Sequence, residues 1–368
     1  MPSTRPDRKE LVAFARKFVS GIIDSAAMEE LEGGSLNFVW RIQSASGNSF
    51  IIKHAPPYIA SVPEIAFDSS RIVFEAAILK AFQFRSELNQ LNGFGVRPPD
   101  FLGNDSRRHL LLMEDVGPWP DLRQAVRLTD YDLAACGHML GAYIALLHLQ
   151  TYQNQWFADN FANLPVQRTR LEVQYNGCPE FCRKARLPDA EKIGKLCRQL
   201  GRKFNSVGKC LVMGDLWPYS ILLGPNEIRL IDWELTHFGR PAQDIAHLAA
   251  HLWMMSHRTA GQSQKDRIEK FRLSFIDSYF KRVARHQPQL MTAEDERDFQ
   301  IHFGAEILAR TLGNFQKNYL YDGLPPQHPV IQEAAREARQ WICGECEAFK
   351  PKPDPPACDE LSRVEAEK

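Results

Sequence analysis

The chain lacks both a long basic run and an excess of either charge, because its 368 residues contain 45 Lys and Arg against 45 Asp and Glu. Binding to nucleic acid depends largely on basic side chains that neutralise the phosphate backbone. The composition therefore disfavours a nucleic-acid partner.

Long hydrophobic runs are also scarce. The longest, residues 140–147, is far below the roughly 18 apolar residues that a membrane-spanning helix needs. The first ten residues are polar and mixed in charge, unlike a secretory signal peptide. We expect no membrane partner and a cytoplasmic location.

The eight cysteines lack the spacing of a disulfide framework. Cys178 lies close to Cys182 and Cys343 lies close to Cys346, and two such pairs brought together could form a structural zinc site. Short pairs are common by chance, however, so reduced cysteines without a metal are the favoured interpretation.

The composition that is present, 44% hydrophobic and 24% charged residues, is that of a globular chain long enough for two lobes with separate cores. Helical spacing in residues 1–30 is followed by strand-like segments at 31–41 and 48–54, a helix at 68–88 and a buried strand at 109–113. The rest is predicted to be mainly helical. The predicted helices there span residues 130–149, 188–204, 241–255, 265–283, 293–318 and 329–349.

The most informative segment, residues 213–223, has the sequence M-G-D-L-W-P-Y-S-I-L-L and is followed by I-D-W-E at residues 231–234. Two short apolar runs separated by residues 224–226 predict a hairpin. The turn would bring Asp232 beside the loop that carries Asp215.

Oxygen ligands gathered around one hairpin suit Mg²⁺, a hard cation. The two-residue period of a strand would place Glu234 on the same face as Asp232, while Ser220 lies on the preceding loop. Phosphoryl transfer needs such a metal to neutralise phosphates and a carboxylate to orient and deprotonate the attacking hydroxyl. We therefore interpret Asp232, Glu234 and Ser220 as metal ligands and Asp215 as the base. A single Asp beside a strand more often caps a turn, but the whole string would rarely arise by chance.

The string resembles the catalytic loop and metal motif of the aminoglycoside phosphotransferase, choline kinase and methylthioribose kinase superfamily, whose members are relatives of protein kinases. Members usually carry H-G-D-L-H-x-G-N or S and then D-x-E on the next strand. By position, Asp215 resembles the base, Ser220 the first metal ligand, Asp232 the main metal ligand and Glu234 its companion. The resemblance implies a small-molecule kinase that uses ATP and Mg²⁺ to phosphorylate a hydroxyl.

The resemblance also implies an α+β, bilobal, protein-kinase-like fold. We expect a small N-terminal, nucleotide-binding lobe with an antiparallel sheet in residues 1–116, and a larger, mainly helical lobe for catalysis and substrate binding in residues 117–349. Residues 350–368 are rich in Pro and charged residues and are expected to form a mobile tail. The oligomeric state is left open.

The N-terminal half supplies independent support for this resemblance. In kinase-like folds a Gly-containing hairpin covers the phosphates, a strand Lys contacts them and a helix Glu holds that Lys. Lys53 and Glu75 match the last two roles, and a carboxylate on an apolar helix stripe needs such a partner. The residues that match the hairpin are Gly33, Gly34, Ser35 and Asn37.

The connector formed by Glu114, Asp115 and Val116 resembles the family hinge, where backbone groups near Asp115 and Val116 would hydrogen-bond adenine. Downstream, Asp244 matches a family position that is generally structural, so no catalytic role is expected for it.

Two residues depart from the family pattern: Met213 stands where His is general, and Tyr219 where Gly is general. These departures motivate an alternative, a pseudokinase that binds nucleotide or a partner without phosphoryl transfer. The retained Lys53, Asp215 and Asp232 argue for transfer. A protein kinase is disfavoured because H-R-D, D-F-G and A-P-E segments are lacking.

The expected acceptor is a small molecule with an alcohol group, and it can also carry an amino group. Trp217 and Trp233 could bind a cationic amine through cation–π contacts, although tryptophans more often belong to the core. His247 and His251 have the spacing of a zinc pair without the Glu of H-E-x-x-H, so we interpret them as packing or surface residues. A closer likeness to fungal kinases of the hydroxytryptamine kinase type lies in residues 33–42, 51–57, 211–217 and 231–235.

Overall fold

A computed structural model describes residues 5–31, 36–206, 208–313 and 315–346 of the chain. The predicted phosphate-covering residues Gly33, Gly34 and Ser35, and the predicted tail at 350–368, lie outside the described residues. The described part combines an antiparallel sheet near the N-terminus with a mainly helical C-terminal region, which confirms the predicted α+β class.

The N-terminal lobe contains five strands that form one antiparallel sheet and five further short elements around it. In chain order they are α1 (Arg8–Ala15), β1 (Met28–Glu30), β2 (Phe38–Gln43), β3 (Ser49–His54), β4 (Tyr58–Ile59), β5 (Val62–Ala66), α2 (Arg71–Ala81), β6 (Val96–Arg97), β7 (Phe101–Asp105) and β8 (Leu110–Glu114). The sheet has the order β1-β2-β3-β8-β7.

One face of this sheet packs against α1. Asp7 caps the helix by accepting a hydrogen bond from the backbone N–H of Glu10, and the Glu10 side chain accepts one from the backbone of Asp7, which satisfies two N-terminal N–H groups. Phe14 on α1 and Ile52 on β3 belong to the same fully buried cluster. Because side chains alternate along a strand, Lys53 points to the opposite face. Lys53 and Ile51 are two residues apart on β3 and both line a cleft between the lobes, as the two-residue period of a strand predicts.

The C-terminal lobe is built mainly from helices. In chain order its elements are α3 (Leu122–Ala125), α4 (Leu133–Gln150), α5 (Gln155–Asn160), α6 (Leu164–Arg170), α7 (Cys178–Lys184), α8 (Ala190–Phe204), β9 (Cys210–Val212), β10 (Ile221–Leu223), β11 (Ile228–Leu230), β12 (His237–Gly239), α9 (Ala242–Arg258), α10 (Gln262–His286), α11 (Ala293–Leu312) and α12 (Pro329–Cys343). Short 3₁₀ helices lie at Asn89–Phe94, which precedes β6, and at Pro218–Ser220 and Pro288–Leu290, and a turn of π-helix lies at Leu171–Tyr175. The predicted long helices are confirmed, with their ends shifted by a few residues.

The predicted hairpin forms between β10 and β11, where Ile221 pairs with Leu230 and Leu223 with Ile228. β11 also pairs in parallel with β6 of the N-terminal lobe, so the hairpin lies where the two lobes meet. The strand ends at Leu230, however, before the acidic residues begin. The expectation that Asp232 and Glu234 lie on one strand is therefore wrong.

Helix α4 packs against α10 in the C-terminal lobe. Among the described residues it is the one helix long and apolar enough to cross a membrane by length and composition alone, and half of it is buried inside this lobe. A core helix of a globular protein passes the same test, so this is weak evidence for a span. Gly137 and Gly141 let α4 approach the backbone of α10 closely.

We predict that Gly141→Ala destabilises the protein by about 1 to 3 kcal/mol, because the added Cβ would lie 2.2 Å from the carbonyl oxygen of Phe275. Urea unfolding measures the loss. Gly93→Ala is the matched control, since a Cβ at that exposed position would meet no atom within 4 Å. Equal stability of the two variants would show that α4 and α10 do not pack this closely.

Candidate active site

A cleft with a volume of about 420 Å³ lies between the sheet and the C-terminal lobe. This size is within the range of small-molecule sites, roughly 300 to 1,000 Å³. It brings together residues from distant parts of the chain, and nine of the predicted site residues line it. These are Asn37, Lys53, Glu114, Asp115, Val116, Asp215, Trp217, Asp232 and Glu234. The predicted residues Glu75, Ser220 and Trp233 are buried outside its walls.

Lys53 and Glu75 form the predicted pair. The Lys53 Nζ lies 2.7 Å from Glu75 Oε1, and it also donates to the carboxylate of Asp232. Burial by itself would lower the pKa of Lys53, but the charges of Asp232, Glu75 and Glu234 raise it overall. Burial raises the pKa of Glu75, and the charge of Lys53 offsets part of that rise. Lys53 is thus a buried, fixed positive charge at the wall of the cleft.

Asp232 has a left-handed backbone conformation, with φ of 64°. This conformation is uncommon for residues other than Gly, although Asp tolerates it better than most, and it recurs at functional sites. It turns the chain out of β11 and leaves the side chain 37% exposed in the cleft. Oδ1 contacts Lys53, while Oδ2 has no hydrogen-bond partner among the described residues. An oxygen of Asp232 therefore remains available to a ligand.

The contacts of Glu234 differ from those expected of a metal ligand, its predicted role. Its Oε1 accepts a hydrogen bond from Asn37 at 2.8 Å, and its Oε2 accepts one from Arg71 Nε at 2.8 Å. Both oxygens are engaged with N-terminal-lobe residues, so the carboxylate joins the two lobes. In this arrangement Glu234 does not offer a free oxygen as a companion metal ligand. The sequence analysis missed Arg71, which precedes Glu75 by one turn of α2.

We predict that Arg71→Leu lowers the free energy of unfolding by about 3 to 5 kcal/mol, because it leaves the buried Glu234 carboxylate without its ion-pair partner. Thermal and urea unfolding measure the effect. The control is Arg183→Leu, which removes an exposed pair with Glu180 and should cost less than about 1 kcal/mol. Similar losses in the two variants would contradict a stabilising role for the interlobe ion pair.

The hydroxyl of Ser220 closes the loop that carries Asp215. It donates to the carbonyl oxygen of Trp217 at 2.9 Å and accepts from the backbone N–H of Trp217 at 3.3 Å. The side chain is fully buried. A metal-ligand role for Ser220 remains a prediction, and its observed contacts stabilise the loop.

Hydrogen bonds to Asp244 anchor the backbone of the loop that carries Asp215. The backbone N–H groups of Met213 and Gly214 donate to the Asp244 carboxylate at 2.7 and 2.8 Å. Gly214 has φ of 83°, and a Cβ there would lie 2.3 Å from the carbonyl oxygen of Leu235. The structural role predicted for Asp244 is confirmed, and Gly is required at position 214.

Asp215 projects from this loop into the cleft. Its Oδ1 lies 3.2 Å from Arg170 Nη2 and 3.1 Å from His247 Nε2. Burial alone would raise its pKa, but the proximity of His247 and the charges of Arg170 and Arg310 lower the pKa of Asp215 to about 2. Asp215 is therefore ionised at neutral pH and can accept a hydrogen bond.

The two departures from the family pattern are both packed within the loop. Met213 is fully buried in the core. The ring of Tyr219 stacks on Trp217 with centroids 4.3 Å apart, and the guanidinium of Arg123 lies 3.3 Å from the centre of the Tyr219 ring. Neither residue displaces Asp215 from the cleft. They do not by themselves indicate an inactive loop.

Trp233 is a core residue, contrary to its predicted contact with substrate. It is fully buried, its indole N–H donates to the carbonyl oxygen of Leu230, and its ring packs against Phe82. Trp217 lines the cleft as expected.

The hinge side chains make structural contacts. The carboxylate of Asp115 accepts from Arg41 Nε at 2.5 Å and from the backbone N–H of Gly117 at 3.0 Å. Glu114 contacts Arg229 and accepts from the backbone N–H of Asp100. The adenine-binding role assigned to the backbone of this segment remains a prediction.

Comparison with known proteins decides the family. Residues 27–299 match the model of the phosphotransferase enzyme family. The chain belongs to this family. Its fold matches as well: the solved structure of choline kinase from Cryptosporidium parvum Iowa II superposes with a TM-score of 0.54 at 12% identity, covering 92% of this chain and 95% of that chain. The predicted kinase-like fold is confirmed.

Two relatives of this phosphotransferase are kinases of small molecules. A 4-hydroxytryptamine kinase of Psilocybe cyanescens is 26% identical over 270 residues, which cover 67% of this chain and 73% of the relative. A methylthioribose kinase of Pectobacterium carotovorum subsp. carotovorum (strain PC1) is 24% identical over 358 residues, covering 83% and 84%. These matches confirm the predicted resemblance of this phosphotransferase to kinases of small molecules.

A second, smaller cavity of about 90 Å³ adjoins the cleft of the phosphotransferase. Asp215, Trp217 and Leu36 line both cavities, so Asp215 stands where they meet. Apolar side chains form much of the wall, and charged residues from three helical segments lie around Asp215. The apolar residues include Val166, Val173, Leu235 and Phe315, and the charged or titratable ones are Arg170, His247, Glu306 and Arg310.

Sequence reasoning missed most of these charged residues. Glu306 lies among Ala305, Ile307 and Leu308 on α11, so the signal that identified Glu75, a carboxylate among apolar helix residues, could have identified it. His247 and His251 are buried and contact Glu306, so the surface alternative is wrong for both.

The cysteines that the structure describes form no group with metal-site geometry. All seven described cysteines are free, and within the described ranges the one group with metal-ligand proximity is His247, His251 and Glu306. The alternative of a four-cysteine zinc site is therefore not supported in the described part of the chain.

Proposed function

We propose that this phosphotransferase transfers the γ-phosphate of ATP, as its Mg²⁺ complex, to a hydroxyl group of a small molecule. The observation that carries the proposal is the position of Asp215 at the junction of a large cleft and a smaller, mostly apolar cavity. A donor nucleotide on one side and an acceptor alcohol on the other would both reach this carboxylate.

The larger cleft suits the nucleotide. Val39, Ile51, Met113 and Leu222 offer apolar contacts near the hinge, and Lys53 presents a buried positive charge at the other end. Such a charge favours phosphate groups. The volume of about 420 Å³ also supports a ligand of nucleotide size.

The residues present fit a magnesium ion. Asp232 offers an oxygen in the cleft, next to Lys53, that has no hydrogen-bond partner within the described part of the chain. Mg²⁺ is commonly held by one or two carboxylates together with substrate phosphates and water, so Asp232 can serve even while Glu234 and Ser220 remain in their observed contacts. When bound, the metal would neutralise charge on the phosphates.

Asp215 would act on the acceptor hydroxyl. Its Oδ1 is held by Arg170 and His247, so Oδ2 would accept the hydrogen bond of the acceptor O–H and orient its oxygen for attack on the γ-phosphorus. As the new O–P bond forms and the bond to ADP breaks, the hydroxyl proton passes to Oδ2. The low pKa of Asp215 is compatible with this role, because a loose transition state needs proton transfer only late.

The smaller cavity suits the non-reacting part of the acceptor. Its apolar wall favours a compact, partly apolar alcohol, and the name of the 26% identical relative makes a hydroxylated arylalkylamine the first class to test. The carboxylates that line it, Asp215 and Glu306, are each paired with a basic side chain, so an amino group on the acceptor is not required for charge balance. A cytoplasmic location would supply the ATP.

The test is turnover with a panel of alcohols: 4-hydroxytryptamine, choline, methylthioribose and an aminoglycoside. We expect ADP and a phosphorylated alcohol in equal amounts, detected by coupled assay and ³¹P NMR, and dependent on both Mg²⁺ and the alcohol. Tight nucleotide binding without turnover on any alcohol would favour the pseudokinase alternative.

A further inference from the structure

The side chain of His247 contacts Asp215, the proposed base. It projects from α9 one helical turn after Asp244, whose carboxylate holds the backbone of the same loop. The imidazole is 2% exposed, and its Nε2 is 3.1 Å from Asp215 Oδ1. One helix thus supports both the backbone and the side chain of the loop.

The contacts to Asp215 are one-sided. Arg170 Nη2 and His247 Nε2 both approach Oδ1, whereas Oδ2 has no hydrogen-bond partner among the described residues. Arg170 donates a hydrogen bond to Oδ1 and the imidazole of His247 lies against the same oxygen, so the two side chains restrict rotation of the carboxylate about its terminal bond. Asp215 lines both cavities, and its Oδ2 stays available to a ligand there.

His247 is itself held from the other side by Glu306. Its Nδ1 lies 3.6 Å from Glu306 Oε2. Glu306 is anchored in turn by Arg310 Nε at 2.7 Å, Gln174 Nε2 at 2.8 Å and His251 Nε2 at 3.1 Å. These contacts fix the position of the Glu306 carboxylate beside the imidazole of His247.

Carboxylates lie on both sides of the His247 imidazole, that of Asp215 near Nε2 and that of Glu306 near Nδ1. The neighbouring ring of His302 stacks on His247 with centroids 5.6 Å apart. The buried acids Asp215 and Glu306 are paired with Arg170 and Arg310, respectively.

We propose that His247, anchored by Glu306, is a positioning residue for phosphoryl transfer that holds Asp215 so that its Oδ2 faces the acceptor hydroxyl. The inference rests on the proposed role of Asp215 as the base. It assigns His247 no contact with substrate or nucleotide, so its loss should affect the catalytic step more than nucleotide binding.

The same side chains could be viewed as a metal site, because ligand atoms of His247, His251 and Glu306 lie within 4.8 Å of one another. Both oxygens of Glu306 already accept hydrogen bonds, from Arg310 and Gln174. A metal would have to displace them and sit beside two guanidinium groups. The charge distribution therefore favours the positioning role.

The test uses His247→Gln and His247→Ala with the alcohol that gives the fastest turnover in the panel. Misplacing a reacting group by about 1 Å can cost about 100-fold, so we expect kcat to fall by about 10- to 100-fold for Ala and less for Gln, which keeps an N–H donor. The KM for ATP should stay within about threefold of wild type.

His251→Gln is the matched control, because this buried histidine lies on the same helix and contacts Glu306 but not Asp215. We expect a comparable loss of melting temperature in His251→Gln and His247→Gln, but a clearly larger loss of kcat in the latter. Equal losses of kcat in the two variants would indicate general damage to the helix and overturn the proposal.

A double-mutant cycle separates the inference from the proposed function. If His247 acts through Asp215, His247→Ala should cause no further loss in an Asp215→Asn background. A multiplicative loss there, or one bound transition metal per chain whose removal abolishes turnover, would overturn the positioning role. Full activity of Asp215→Asn would instead defeat the proposed function itself.

Discussion

Asp215→Asn is expected to lower kcat by about 10²- to 10⁴-fold while leaving the affinity for ATP within about threefold of wild type. The amide keeps the shape of the side chain but cannot take the acceptor proton. Because the cleft that would hold nucleotide is lined mainly by other residues, ATP binding should survive. Steady-state kinetics with the best alcohol and calorimetric titration with Mg-ADP measure the two quantities.

Asp130→Asn provides the control for the Asp215 variant, since Asp130 is exposed and lies outside both cavities. It should leave kcat unchanged. A loss of nucleotide affinity in Asp215→Asn as large as its loss of kcat would contradict the assignment of Asp215 as the base.

Asp232→Ala is expected to weaken binding of Mg-nucleotide by about 10- to 100-fold and to lower kcat as well, because it removes the proposed metal ligand. Titration with ADP in the presence and absence of Mg²⁺ tests the reason for the loss. If Asp232 holds the metal, the magnesium-dependent part of the affinity should disappear while binding of metal-free ADP changes little.

Asp232→Ala also removes one carboxylate from Lys53, which still keeps Glu75 at 2.7 Å. A displaced Lys53 would weaken ADP binding with and without Mg²⁺ alike. That outcome would assign Asp232 to holding Lys53 and not to holding the metal. Equal, modest losses of kcat in the Asp215 and Asp232 variants would refute both proposed roles.

The Lys53–Glu75 contact shows what local pattern can predict. The strand period placed Lys53 on the same face as Ile51, and the helix stripe placed Glu75 among apolar residues where an unpaired charge is costly. Each argument concerns one element and its solvation. Together, the two arguments left few oppositely charged partners available to Lys53 or to Glu75.

Glu234 and Trp233 show where the same reasoning fails. The two-residue period was applied past Leu230, where β11 ends and the backbone of Asp232 turns to positive φ. Glu234 then meets Arg71 and Asn37, and Trp233 enters the core. A strand end depends on pairing with other segments, which a local period does not encode.

By itself, the sequence determined the motif that carries Asp215 and Asp232 and the charge pair at Lys53, because these follow from periodicity, hydropathy and short spacing, while the α+β class was implied by the family resemblance of that motif. Only the tertiary structure decided that Arg170, His247 and Glu306 surround Asp215. These residues come from α6, α9 and α11, and their contacts depend on how the helices pack around the buried loop. Such packing reflects the sum of many apolar contacts, which no single motif records.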